Sequence, residues 1–447
     1  MKYKIYETTK GENEFIKECA SGDFVNDNNT EWNVVNLVPE VKYQIIDGMG
    51  GAFTEAAAVT LHKLSPENQK KVLKAYFDPK EGIGYNYCRT HINSCDFALG
   101  NYTYIEEGDK ELKTFDISRD KKHLIPMIKE AKKYNDFKLF ASPWSPPAFM
   151  KTNNEMNHGG KLMPEFFEAW SDYYIKYLKA YEDEGIDIFA LTVQNEPKAT
   201  QKWDSCVYTA EEERDFVKNY LGKKIKKAGK ELYFWDHNRE RIYDRAKVML
   251  GDETAKDFVD GIAMHWYSGE HFDMLRIFHE LYPDKKIIMS ECCQEYSLGK
   301  IDTWYLGEKY AHDIIGCFNN YCNAYCDWNM LLNEIAGPNH VKIESGYYNA
   351  DAPIMADTQK DEVFFHSSYY YIGHFSKFVK PGAVRIAISK WREDIEVCAF
   401  KNPDGNIVCV VMNTGDNRWE YNLRAGDCTA QRIKIRPHSI QTVICDT

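Results

Sequence analysis

Two glutamates carry the most chemistry in this chain: Glu196 in Val193-Gln194-Asn195-Glu196-Pro197 and Glu291 in Ile288-Met289-Ser290-Glu291. Each closes a run of apolar residues, IDIFALTV for the first and KKIIMSE for the second, of the kind that forms a strand buried on both faces. One such carboxyl has a bland use, as a salt-bridge partner or a charge at the start of a helix. Two at one mouth have a sharper use. A protonated carboxyl and a carboxylate flanking a glycosidic bond can protonate the leaving oxygen and attack the anomeric carbon. The two stand 95 residues apart, which is three strand–helix units of about 32 residues in a barrel of ordinary size.

The elements that must position them alternate along the chain. Eight candidate strands cover Ile45–Phe53, Ile83–Asn93, Lys138–Trp144, Ile186–Gln194, Glu231–His237, Gly261–Tyr267, Lys285–Glu291 and Asn323–Met330. Between them the pattern predicts helices over Pro66–Phe77, Lys121–Tyr134, Pro164–Glu184, Ala210–Lys227, Arg239–Leu250, Asp273–Leu281, Thr303–Asn319 and Glu362–Phe378. Ser65 and Pro66 form a helix start. Phe167, Trp170, Tyr174, Tyr177 and Tyr181 fall on one helix face at spacings of three and four. Alternation eight times over gives an α/β fold, a (β/α)₈ TIM barrel across residues 45–380, with its active site at the C-terminal strand ends. From Ala383 the chain changes to short alternating strands with a hairpin turn at Asn402-Pro403-Asp404-Gly405. These predict a side-associated β-sandwich over 381–447, joined by the N-terminal strands of residues 1–44 (Lys2–Glu7, Trp32–Val38).

Composition removes several classes. The net charge is −12, with no long basic run, so no nucleic-acid partner is expected. No window is apolar enough for membrane insertion, and the first residues lack a signal-peptide core. Thirteen cysteines lie scattered without a disulfide framework or a C-x₂-C pair, which points to reduced thiols in a cytoplasmic protein. The glycines of Gly48–Phe53 have the wrong spacing for a nucleotide loop. His91 and Asn93 have no second ligand pair, so neither a metal nor any other cofactor is expected.

The strand ends also carry a resemblance. Asp47–Ala56 (DGMGGAFTEA), Ser94–Tyr104, Ser142–Asn153 (SPWSPPAFMKTN), Thr192–Pro197 (TVQNEP), His265–Tyr267, Ser290–Cys292 and Asp327–Pro338 come in order, all at predicted strand ends. Together they resemble glycoside hydrolase family 30, the glucosylceramidase-like retaining β-glycosidases, from about Gly48 to the C-terminus. The resemblance implies Glu196 as general acid/base, Glu291 as nucleophile and Asn195 as donor to the sugar 2-hydroxyl. It places Asp96, Trp144, Trp328 and Asn329 around the sugar, with His265 and Tyr267 near the nucleophile. A carboxylate takes hydroxyls in pairs and an indole offers a stacking face and an N–H, which agrees. Trp203, in the loop after Glu196, is a further wall residue, and Arg89 a partner in structural or nucleophile-orienting salt bridges. Cys292 reads as a buried thiol.

The partner expected is therefore a carbohydrate, a β-glucoside or a β-glucan oligosaccharide. The expected reaction is retaining hydrolysis through a covalent glycosyl-enzyme, with endo-β-1,6-glucanase or β-xylosidase action as alternatives and an inactive carbohydrate-binding barrel as a remoter one. The stretch His340–Asp351 departs from the family pattern beside the cleft, where it could gate the site.

Overall fold

The structure is a computed structural model and describes residues 1–28, 30–294, 303–343, 346–347 and 350–446. Eight parallel strands close into a barrel: Gly48–Phe53, Tyr87–Ile92, Lys138–Pro143, Ala190–Thr192, Glu231–Asn238, Gly261–His265, Lys286–Glu291 and Ala324–Asn329, the last pairing with the first. All eight lie where the apolar runs predict them. Their lower interior is filled by one layer of Tyr87, Phe140, Ala190, Tyr233, Ala263, Ile288, Ala324 and Cys326, so the barrel is packed rather than hollow. The glycines of the first strand serve this packing: a Cβ on Gly50 would lie 2.2 Å from the Tyr87 carbonyl oxygen.

The fourth strand is shorter than predicted, yet its pairing continues irregularly. Val193 N–H donates to Tyr233 O, Asn195 N–H to Pro143 O and Glu196 N–H to Asp236 O, each at 2.9 Å. Glu196 is thus held by backbone bonds to the next strand, with φ at +48°, a left-handed conformation that costs a non-glycine residue energy.

Three elements differ from expectation. A helix over Glu55–Lys63 follows the first strand directly, with Thr54 Oγ1 accepting from Ala57 N–H at its start. Ile45 and Ile46 end a 13-residue strand, Val34–Ile46, instead of opening the barrel. The segment predicted as one helix over Glu362–Phe378 splits into a strand, Glu362–Phe365, antiparallel to Ile354–Asp357, and a helix over Ser367–Ser376. Glu-Val-Phe-Phe alternates its exposure residue by residue, the two-fold period of a strand.

Beside the barrel, ten strands form one continuous sheet folded into a β-sandwich. Lys2–Thr9 pairs with Ser439–Asp446, and Val34–Ile46 bridges the layers by pairing with both Ala383–Ser389 and Trp419–Ala425. Val35, Leu37, Val397, Val411, Tyr421 and Val443 fill the space between layers. The barrel helix Trp304–Asn319 rests on this sandwich through His312, whose Nδ1 lies 2.8 Å from Glu396. No described helix is long and apolar enough to cross a membrane. None of the thirteen cysteines is in a disulfide, and Cys292 is fully buried.

Candidate active site

At the C-terminal ends of the strands, Asp96, Trp144, Asn195, Glu196, Trp203, Tyr267, Glu291 and Trp328 line one cavity of about 220 Å³. Eight of the ten residues singled out in the sequence therefore meet there. His265 lies beneath the two glutamates rather than in the wall. Asn329 does not reach the cavity: its Oδ1 accepts from Thr54 Oγ1 at 2.7 Å, so it braces the start of the helix after the first strand. His91 is fully occupied, with Nε2 accepting from Glu55 N–H and Nδ1 2.6 Å from Asn93 O.

Below the cavity a charged network holds the glutamates. Arg89 is wholly buried, and its guanidinium donates to Glu291 Oε2 at 2.6 Å, Asn195 Oδ1 at 2.8 Å, Asp236 Oδ2 at 2.9 Å and Ser142 Oγ at 3.1 Å. Tyr267 O–H donates to the other oxygen of Glu291 at 2.8 Å. Both carboxylate oxygens thus face a donor fixed from below. Arg89 also takes the Asn195 carbonyl, which turns the amide NH₂ toward the cavity. Trp144 and Trp328 stack at 5.1 Å, with the Arg89 cation 4.7 Å from the Trp144 ring.

Glu196 has different company. Its Oε1 lies 3.1 Å from His265 Nδ1 and 3.7 Å from His237 Nδ1, and Gln201 Nε2 donates to Oε2 at 3.3 Å. His265 Nε2 is 3.0 Å from Asp236 Oδ1, and Nδ1 is also 3.9 Å from Glu291 Oε1. One imidazole nitrogen therefore stands within 4 Å of both glutamates. Asp236 receives Arg89, Thr192 Oγ1 at 2.6 Å and Ser290 Oγ at 2.5 Å.

The charges follow from these contacts. Burial works against a charged His265, but Glu291, Asp236 and Glu196 outweigh it and raise its pKa to about 9. Burial alone would raise Glu196; His237 and His265 outweigh it and bring the carboxyl to about 2. Burial pushes Glu291 up against the pull of His265 and Arg89. Asp236 lies well below the usual carboxylate range because Arg89 and His265 overcome its burial. Asp96 is pushed well above that range by burial and by the charges of Glu291 and Glu196. Its Oδ1 has no hydrogen-bond partner among the described residues.

Strand ends read for their polar residues give Glu196 and Glu291, and the family resemblance adds His265 and Tyr267; neither marks Asp236, His237 or Gln201. The signal for two of them was present: Trp235-Asp236-His237-Asn238 ends the fifth strand. Gln201 lies in a loop and carries no such mark. Around the rim, His340 Nε2 is 3.1 Å from the buried Asp204, which also receives Ser94 and Asn101. This ties the loop after the eighth strand to those carrying Asp96 and Trp203. Residues 344–345 and 348–349 of the departing stretch His340–Asp351 lie outside the described residues.

A closed parallel barrel with two carboxyls at its mouth is an arrangement suited to hydrolysis of glycosidic bonds. Comparison with known proteins gives the family. The glycosyl hydrolase family 30 TIM-barrel domain matches residues 46–379 and the glycosyl hydrolase family 30 beta sandwich domain matches 382–443, so the chain belongs to glycoside hydrolase family 30. It is 36% identical to the lysosomal acid glucosylceramidase of Mus musculus over 403 residues, covering 85% of this chain and 77% of that one. Among solved structures, SrfJ from Salmonella typhimurium superposes over 100% of both chains with TM-score 0.95 and 37% identity. The endo-β1,6-glucanase BT3312 does so over 100% of both with 0.89 and 28%.

Proposed function

We propose that this glycoside hydrolase cleaves β-glucosidic bonds with retention, by double displacement, with Glu291 as nucleophile and Glu196 as general acid/base. The observation that carries the reading is the unequal company of the two glutamates. Glu291 has a fixed donor on each oxygen, which aims it, and Arg89 and His265 pull its carboxyl toward the charged form against the burial that raises it. Glu196 shares one proton with His265. On Nδ1 that proton makes an imidazolium–carboxylate pair, the form favoured before substrate enters. On Oε1 it makes Glu196 an acid within reach of a leaving oxygen.

The first step connects these two states. As a Glu291 oxygen bonds to the anomeric carbon, the C–O bond to the aglycone breaks and Glu291 loses its charge. That charge is a principal reason His265 holds its proton. The proton then moves to Glu196 and on to the departing oxygen. In the second step Glu196 takes a proton from water, whose oxygen attacks the same carbon and frees Glu291. A single nitrogen within 4 Å of both carboxylates is compatible with the carboxyl separation of retaining enzymes, about 5–5.5 Å. Asn195 donates to the sugar 2-hydroxyl, and Asp96 receives outer hydroxyls that supply the donors it lacks.

Exo action on a terminal sugar fits a cavity of about 220 Å³. The His340–Asp204 contact closes the rim on that side. A second reading, endo-β-1,6-glucanase, is favoured by the likeness to BT3312. Proton NMR of early product from an aryl β-glucoside tests the mechanism: the β-anomer is expected first, and an initial α-anomer would sink it. Glu291→Gly should lose activity on the order of 10⁴-fold or more and recover with azide as the α-glycosyl azide. Glucose alone from a β-1,6-glucan supports exo action; a ladder of oligosaccharides overturns it.

A further inference from the structure

Three metal-ligating groups that the sequence keeps on separate strands converge under the cavity. Glu196, His237 and His265 follow or end the fourth, fifth and sixth strands, and one ligand atom of each lies within 4.8 Å of the other two. Among the described residues this is the one such group of three. The Glu196 oxygen is 3.1 Å from His265 Nδ1 and 3.7 Å from His237 Nδ1. A tetrahedral ion with bonds of about 2.0–2.2 Å sets its ligand atoms a little over 3 Å apart, so the Glu196–His265 pair is already near ligand spacing and a turn of His237 toward it completes the set.

Two further observations point to a ligand. His237 is 8% exposed, and its Nδ1 has no hydrogen-bond partner among the described residues although it is buried and aimed at Glu196 at 3.7 Å. Such an orphaned nitrogen is costly unless something uses it. His265 presents Nδ1 to the same point while Nε2 faces Asp236 at 3.0 Å, the carboxylate–histidine arrangement that orients an imidazole on a metal. The cavity above supplies an open fourth position. Asp236, Glu196 and Glu291 surround the point with negative charge, and once His265 gives up its proton Arg89 is the cation that faces them.

We propose that Glu196, His237 and His265 form a site for a borderline divalent transition metal, Zn²⁺ foremost, and that the ion acts there as an inhibitor and not as a cofactor. Two imidazoles and one carboxylate select Zn²⁺, Cu²⁺, Ni²⁺ and Co²⁺ over Mg²⁺ and Ca²⁺, which take oxygen ligands in larger number. On binding, the ion takes the place of the Nδ1 proton of His265, which leaves to solvent, and Glu196 binds as its carboxylate. The group assigned above to proton delivery is then tied down.

Co²⁺ titrated into the metal-free full chain reads the site directly. Visible d–d bands saturating at one ion per chain are expected, without a near-ultraviolet thiolate charge-transfer band, and Zn²⁺ should erase them. His237→Leu, with folding checked by its thermal melt, should weaken Co²⁺ binding by tenfold or more. Zn²⁺ inhibition, measured against the variant's own metal-free rate, should weaken by the same factor. A sulfur charge-transfer band, binding unchanged in His237→Leu, or equal binding of Mg²⁺ would each overturn the site. The spectra need no substrate. Binding without inhibition would leave the site standing and count against the acid/base role of Glu196 on which the inhibitory part rests.

Discussion

Two residues up five of the barrel strands, the interior changes character. Tyr87 gives way to Arg89, Phe140 to Ser142, Ala190 to Thr192, Ala263 to His265 and Ile288 to Ser290. The lower layer is apolar and dry, held by area removed from water. The upper layer, equally buried, consists of one arginine, one histidine, three carboxylates and the hydroxyls that join them. A buried ion network of this kind adds little net stability, since the desolvation of each charge offsets the attraction. It supplies fixed orientation instead: Glu291 and Asp236 cannot turn while Arg89 grips both. One layer makes the barrel fold, and the next is tolerated for what it positions.

The largest effect that would break this contrast is a matched pair of deletions. Arg89→Leu leaves Glu291 and Asp236 buried without their cation, so a loss of about 3–5 kcal/mol and of about 10³-fold or more in turnover is expected. Ile288→Ala, one layer down, should cost a similar 2–5 kcal/mol yet leave kcat of the folded protein within a few-fold. Denaturant melts and kcat on one aryl glucoside read both. Turnover lost equally in the two variants would dissolve the distinction.

The pH dependence of stability sharpens it. His265 is raised to about 9, so its contribution is fully present below the ordinary histidine value of about 6.5 and is lost as pH rises through about 9. Asp236 is depressed, so its contribution is present above about pH 4 and is lost as pH falls toward its lowered value. The melting temperature of the wild type should therefore fall between pH 6.5 and 9.5. Asp236→Asn should show a shallower fall starting at lower pH, because asparagine cannot hold the imidazolium. Parallel slopes in the two proteins would show that the pair is not what stabilises the charged layer.

The smallest effect lies at the rim, outside both layers. His340→Ala removes the contact to Asp204 and loosens the loops carrying Asp96 and Trp203. A loss of about 1 kcal/mol, roughly a five-fold rise in KM for an aryl glucoside, is expected with kcat little changed. A drop in kcat as large as that of Arg89→Leu would mean that the rim belongs to the chemistry.

Much of this was legible in the linear order of residues. Apolar runs of strand length, alternating with helical periods, place eight strands and the helices between them, because burial on both faces leaves a continuous hydrophobic signature. The two glutamates at their ends, and the ordered motifs around them, single out the mouth and most of its wall. Glu362–Phe365 escaped this reading, since four residues of strand in front of a helix leave too short a period to separate from it.

Only the tertiary structure decided which face each end residue presents. Strict alternation from Tyr233 would turn Trp235 inward and Asp236 out, and from Ile288 would leave Glu291 out of line with Ser290. Register shifts opposite Ala263–Met264 and Met264–His265 add a residue to the fifth and seventh strands. Trp235 and Asp236 sit at φ of +72° and +46°. These irregularities turn Asp236 under His265 and bring both Ser290 and Glu291 to the same interior. A bulge follows from how neighbouring strands pair around a closed barrel, a non-local condition, so residue type and spacing name the groups while barrel closure sets them face to face.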